Sequence, residues 1–262
     1  MRETRQPGGD VNAVSALAIA GAGLAAGGIN VVVGSGTLIT FPTLLAVGYS
    51  PLVANVSNTV GLVPGSLSGI HAYRRELSGQ GRRAAFLGIF SSAGAVIGAL
   101  LLLRLPATSF RQVIPYLILL ACALVAFQPF LKKWLQPQAP PTRRFGHRGQ
   151  ILYAAVLATG IYGGYFGAAQ GVILMAILPI FITERLQRLN AVKNVLAMLA
   201  NLVAGVIFAF SGHVSWEAAA ILAAGAIVGG QVGGRLGRRL PEPVLRIAVV
   251  VVGTAVAILL IV

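Results

Sequence analysis

VVVGSGTLITFP occupies residues 31–42 and GAAQGVILMAILP residues 167–179. Each sets a patch of glycine and polar residues into an otherwise apolar run: Gly34, Ser35, Gly36 and Thr37 in the first, Gln170 and Gly171 in the second. A helix interrupted there leaves about four backbone N–H groups without intrahelical partners. In hydrocarbon such groups are tolerated only where they are buried in protein or line a wet cavity. Two interruptions at matching places therefore predict helices that start inside the membrane, at Gly36/Thr37 and at Gln170/Gly171.

The surroundings are those of a membrane protein. Of 262 residues, 56% are hydrophobic and 10% charged, and the mean hydropathy is +0.84. A soluble domain carries about 25% charged residues. Apolar runs recur at 11–33, 37–48, 52–73, 84–103, 110–131, 150–168, 171–183, 189–210, 216–234 and 244–262. Most are long enough to cross a bilayer as a helix, and they are continuous rather than alternating, which disfavours a β-barrel. The segments 37–48 and 171–183 are too short: at 1.5 Å per residue they cover about 20 Å of a core about 30 Å thick. The 33 glycines suit closely packed membrane helices, with Gly94/Gly98 and Gly229/Gly233 as packing faces. Pro64, Pro115 and Pro179 are read as helix kinks. The apolar N-terminal segment carries the repeat and is expected to be retained rather than cleaved as a signal peptide.

The two halves match. Gly27-Gly28 pairs with Gly163-Gly164, Gly36 with Gly171, Asn58 with Asn194, Gly94 and Gly98 with Gly229 and Gly233, and Arg104-Leu105-Pro106 with Arg239-Leu240-Pro241, all at an offset of 135 or 136 residues. The expected fold is an all-α polytopic membrane protein of two inverted repeats. Each repeat has a long helix, a short broken or re-entrant helix and three further membrane helices. The first repeat spans 11–131, a basic Pro-rich linker 132–149, and the second repeat 150–262. If each short segment returns to the side it came from, the basic loops gather on one side, 16 Lys/Arg against 4. If each long-short pair crosses once, the split is about 11 to 9. The positive-inside rule prefers the first arrangement, with both termini outside the cytoplasm and the chain in the plasma (inner) membrane.

The same asymmetry accounts for the net charge of +14 without nucleic acid. Cys122 has no disulfide partner within the chain and no metal-ligand spacing is present, so no metal and no cofactor is expected. His71 and His213 read as surface residues.

In inverted-repeat transporters, substrate sites lie near the midplane at the interface of the repeats. Two helix N-termini meeting there, with small residues around them, make an anion site. Gly34, Ser35, Gly36, Thr37, Gln170 and Gly171 would form it. Asn55 and Asn58, three apart on one helix face, and Asn194 and Asn201 in the second half would supply neutral donors, with Asn30 ahead of the first break. For each of these residues, hydrogen-bonding glue between helices is the competing role. Lys193 is placed near the cytoplasmic end of its helix, where snorkelling is the ordinary behaviour and a share in attracting substrate the alternative. The acids Glu3, Asp10, Glu76, Glu184, Glu217 and Glu242 fall in loops or near helix ends. No carboxylate is thus placed at mid-membrane, where cation-coupled carriers keep one. That points to an anion cargo driven outward by membrane voltage.

Several stretches together resemble the sulfite exporter TauE/SafE family: GGINVVVGSGTLITFP (27–42), NVSNTVG (55–61), SGHVSWEAA (211–219) and GGRLGRRLPEPVLR (233–246). The resemblance covers about 11–262. It implies export of sulfite, organosulfonates or related sulfur-containing anions, with Gly34 to Thr37, Asn55, Asn58, Gln170, Gly171 and Asn194 at the matching motifs. The family commonly has consecutive glycines where Gly34-Ser35-Gly36 stands here. The expected partners are a small anionic substrate, the lipid bilayer and a second copy of the chain as a homodimer. Rival readings are a channel-like anion permease, a non-transporting membrane scaffold, and a lipid-modifying membrane enzyme. For the last, no His/Asp/Glu cluster is visible in the sequence, so the chain is read as no enzyme.

Overall fold

The computed structural model describes residues 11–134, 145–236 and 242–261. They form eleven helices: α1 Ala13–Val32, α2 Thr37–Ala46, α3 Pro51–Ala72, α4 Arg74–Leu77, α5 Gly81–Arg104, α6 Ala107–Trp134, α7 Phe145–Tyr165, α8 Gln170–Phe181, α9 Leu186–Ala209, α10 Trp216–Leu236 and α11 Glu242–Ile261. Every predicted segment is a helix, and only the four-residue α4 was unforeseen. The N-terminal charges, the linker stretch 135–144 and the Arg239-Leu240-Pro241 landmark lie outside the described residues. The helices α6 and α7 each run some residues into the expected 132–149 linker.

Among the described residues, five helical stretches are long and apolar enough to cross a membrane: 13–32, 81–104, 108–130, 186–209 and 216–235. Leu17, Ile89, Tyr116, Phe127 and Val206 stand exposed on their outer faces, as lipid-facing residues do. The chain is a multi-pass membrane protein. By contrast α2 has 10 residues and α8 has 12, about 15–18 Å of helix.

Local chemistry sets the ends. The Asn12 side chain accepts from Ser15 N–H at 2.8 Å to start α1, and Ser50 caps α3 ahead of Pro51, whose missing N–H costs nothing at that position. Helices run through Pro64, Pro115 and Pro179. The ends of α1 and α7 are alike. Gly34 has φ +87° and donates its N–H to Ile29 O at 3.0 Å; Gly167 has φ +74° and donates to Tyr162 O at 3.1 Å. Both close on a left-handed residue that glycine adopts without strain.

Packing runs mostly between the halves. Helix α1 lies on α10 and α5 on α7; α3 packs on α10 and α5 on α9; α3 meets α9 and α6 meets α11. The glycine faces make these contacts. A Cβ on Gly229 would lie 1.9 Å from Leu24 O and one on Gly94 2.2 Å from Leu157 O. A Cβ on Gly27 would lie 2.3 Å from Ala226 O and one on Gly160 2.4 Å from Ser91 O. These backbone-to-backbone approaches admit no side chain, the small-residue packing expected of membrane helices. They also revise one detail of the sequence match. The residues of α1 and α7 that play the same part, Gly27 and Gly160 or Gly34 and Gly167, stand 133 apart rather than 135. Gly36 and Gly171 are therefore not counterparts. The longer α8 restores the offset before α9 begins.

Candidate functional site

The two breaks touch. Gly171 N–H donates to Gly34 O at 3.2 Å, and a Cβ on Gly34 would lie 2.5 Å from Gly171 Cα. Phe41 of α2 meets Phe166, just before the second break, edge-on with ring centroids 5.3 Å apart. Ala169 carries φ 61°, a left-handed conformation that costs a non-glycine residue roughly 1 kcal/mol and turns the chain into α8.

Beside this contact lies a cavity of about 20 Å³. Of the residues expected at a site, Gly34, Thr37, Gln170, Gly171, Asn194 and Asn201 line it, joined by Asn30, Ser66 and Gly167. The volume matches roughly one water molecule. Gln170 is buried and its Nε2 has no hydrogen-bond partner in the protein; the same holds for Ser35 Oγ, inside the first break. An unpaired buried donor costs about 1–3 kcal/mol, so two at one seam are a reason to look for a ligand.

The other expected residues have structural partners. Asn58 donates to Thr37 Oγ1 at 3.3 Å and accepts from Thr40 Oγ1. Asn55 donates to Tyr165 O at 3.0 Å, at the end of α7, and neither asparagine is among the residues that line the cavity. Gly36 N–H is taken by Asn30 Oδ1 at 2.7 Å. In this conformation two of the short helices' first-turn donors, Gly36 N–H and Gly171 N–H, are therefore satisfied by the protein itself.

Lys193 is a correction. It lies two turns inside α9, is 0% exposed, and does not snorkel. Its Nζ donates to Asn30 O at 3.0 Å and Val31 O at 3.4 Å. Its Cδ lies 3.1 Å from where a Gly171 Cβ would be. Asn190 and Asn194 donate to the same Val31 O, at 3.0 and 3.3 Å. NAVKN thus places three donors, at i, i+3 and i+4, on the C-terminal end of α1. The sequence signal was present, but the linear reading put the lysine at a surface. The helix starts at Leu186, and Tyr73 and Ala191 pack with Val31 over its first turns.

Toward the two ends of the bundle the halves are pinned again. Glu184 pairs with Arg188 at 3.0 Å and Arg83 at 3.8 Å, and Arg188 donates to Ser78 O at 3.1 Å. In the other turn region Ser215 N–H donates to Ser57 Oγ at 2.8 Å, and Ser215 Oγ to Tyr49 Oη at 3.3 Å. Among the described residues no group of three or more His, Cys, Asp or Glu could hold a metal.

Known proteins of similar sequence are described as membrane transporters. A family model described as "Sulfite exporter TauE/SafE" matches residues 19–260. A "Probable membrane transporter protein" of Haemophilus influenzae is 28% identical over 207 residues, 79% of this chain and 79% of its own. The "Probable membrane transporter protein ORF9" of Sinorhizobium sp is 27% identical over 235 residues, 89% and 87% of the two chains. The "Probable membrane transporter protein YfcA" of Escherichia coli K12 is 26% identical over 236 residues, 88% and 84% of the two chains. No solved structure matches. With the helical bundle, the two touching breaks and a family match over nearly its whole length, the chain belongs to the TauE/SafE sulfite exporter family of membrane transporters.

Proposed function

We propose that the protein is a secondary transporter that exports small sulfur-containing oxyanions, sulfite or an organosulfonate, by alternating access between two inverted halves, with the anion held at the helix breaks. The observation that carries this is the contact of Gly34 with Gly171 beside a wholly buried lysine and a cavity lined by amides. Neutral amide donors suit an oxyanion, with no carboxylate among the cavity-lining residues to repel it. The inverted arrangement draws support from the exchange of partners between halves, α1 on α10 and α5 on α7. With Lys193 removed from the loop tally, the basic residues divide 15 to 4, still favouring termini outside the cytoplasm of an inner membrane. A cavity of about 20 Å³ is too small for sulfite, so the conformation described is a closed one, and passage requires the breaks to part.

Proteoliposomes carrying the purified protein test the reading with labelled sulfite, thiosulfate, sulfoacetate, sulfate and a carboxylate control. The expected result is saturable flux of sulfite or a sulfonate that grows with membrane voltage, each charge gaining about 2.3 kcal/mol per 100 mV. Flux of none of the sulfur anions overturns the cargo. Flux that never saturates favours a channel-like permease. Efflux that ignores voltage and follows a pH gradient overturns the driving force.

Two variants separate pathway from glue. Gln170→Met keeps the volume and removes the unpaired donor. Its melting temperature is expected to hold or rise, by about 1 kcal/mol of relief, while flux falls about tenfold. Asn58→Leu breaks two bonds and is expected to lower stability by about 1–3 kcal/mol. A Gln170→Met protein with wild-type flux counts against a site at the breaks. Glu184→Gln removes both ion pairs of the latch over the basic loops. Partly exposed pairs contribute about 0.2–1 kcal/mol, so labelling of a cysteine placed in the cavity from the basic-loop side should quicken about 1.5–5-fold. An unchanged labelling rate removes the latch from the cycle.

A further inference from the structure

We infer that the carbonyl cluster at the C-terminal end of α1 is a monovalent-cation site that this chain fills with its own Lys193 ammonium, so that no free sodium or potassium ion takes part in its cycle. The inference rests on the transporter reading above for its meaning, but the site itself is a matter of geometry.

A helix C-terminus leaves its last carbonyls without intrahelical donors and carries a partial negative charge. At the end of α1 these carbonyls face protein interior, with Val31 and Lys193 almost entirely out of contact with solvent. Asn30 O and Val31 O both accept from Lys193 Nζ. The carboxamide of Asn190 is bound to Val31 O through its Nδ2, and its own Oδ1 has no partner in the protein. Backbone carbonyls at a broken helix end are the ligands with which membrane carriers hold a coupling sodium ion. Here a primary ammonium of similar charge occupies the site, tethered by a stem that runs against Gly171 of the other break.

The halves differ here. Asn58 is the eighth residue of α3, as Lys193 is the eighth of α9. Asn58 turns to Thr37 and Thr40 within its own half, and the end of α7 receives the neutral amide of Asn55. The end of α1 thus receives a cation beside two carboxamides, and the end of α7 receives the carboxamide of Asn55. Because the tethered charge binds α1 at the seam of the breaks, it moves with α9 relative to α1 when the breaks part. A diffusible ion would do the same work only by binding and leaving.

The test is thermal unfolding of the purified protein in detergent, in sodium chloride or choline chloride at equal ionic strength. The wild type and Lys193→Arg are expected to melt at the same temperature in both salts. Lys193→Asn, which gives α9 the residue of α3, is expected to melt lower in choline and to regain about 3 °C or more as sodium is raised, with saturation. In proteoliposomes its sulfite flux then requires sodium, whereas wild-type flux does not. A wild type stabilised by sodium over choline overturns the inference, and so does a Lys193→Asn protein that melts alike in both salts. If Lys193→Asn cannot be recovered even in sodium while Lys193→Arg can, sodium is no substitute and the inference fails. Absence of sulfite flux in every protein would strike the cargo alone, since melting reads the cation site without it.

Discussion

Gly171→Ala is expected to abolish transport in a protein that still folds. The substitution is favourable locally: alanine in a helix is better than glycine by up to about 1 kcal/mol, and Gly171 lies in the first turn of α8. Its backbone carries no positive φ, so no conformational penalty enters. What opposes it is the other break. The new Cβ would sit 2.6 Å from Gly34 Cα and 3.1 Å from Gly34 O. A comfortable carbon–carbon contact is about 3.5–4.0 Å, so one break must retreat by about 1 Å. Lys193, whose Cδ lies at 3.1 Å, can flex; the backbone of Gly34 is held by its bond to Ile29 O. Overpacking of this kind costs about 1–3 kcal/mol. The melting temperature should fall by about 4–8 °C for a loss of about 2 kcal/mol. Flux should fall about 100-fold or more, because a misplacement of about 1 Å at a binding geometry costs that much. Gly21→Ala is the control: nothing stands within 4 Å of its Cβ, so both readings should hold or improve. A Gly171→Ala protein that transports normally would mean that the contact of the breaks is not where the cargo passes.

The breaks were legible because glycine and polar residues inside an apolar run leave few alternatives in a membrane. The helices, their order and the glycine faces followed from periodless apolar runs and small-residue spacing. What escaped the sequence was depth and partner. Lys193 stands eight residues into α9, close enough to a basic loop to be read as snorkelling. Its burial depends on Tyr73 and α4 closing over that end of α9, which no local pattern announces. Asn55, Asn58, Asn190 and Asn194 looked like one kind of residue repeated. The structure divides them by what they meet: helix ends of the opposite half for Asn55, Asn190 and Asn194, and the hydroxyls of its own half for Asn58. The register of the repeat slipped for a related reason. Glycine identity matched Gly36 to Gly171, whereas the geometry that matters, a left-handed closing residue, belongs to Gly34 and Gly167.

That register makes its own prediction, the second of large effect. Gly229 against Leu24 O and Gly94 against Leu157 O are the same contact with the halves exchanged, at 1.9 and 2.2 Å from a Cβ to a backbone oxygen. Neither helix can give locally, because the obstacle is main chain on both sides; a whole helix must move outward by more than 1 Å. Alanine's gain in helix propensity offsets about 1 kcal/mol of an overpacking cost of about 1–3 kcal/mol, leaving a net loss of up to about 2 kcal/mol for Gly229→Ala and a similar loss for Gly94→Ala. The two seams, α1 on α10 and α5 on α7, are separate, so the double variant should lose the sum within about 0.5 kcal/mol. Thermal unfolding of the two single variants and the double in one detergent reads all three. If one glycine tolerates alanine and the other does not, the seams are not equivalent, and the proposal of two inverted halves loses the packing symmetry on which it stands. Matched losses that add would instead mean that the bundle is held by two independent copies of one joint.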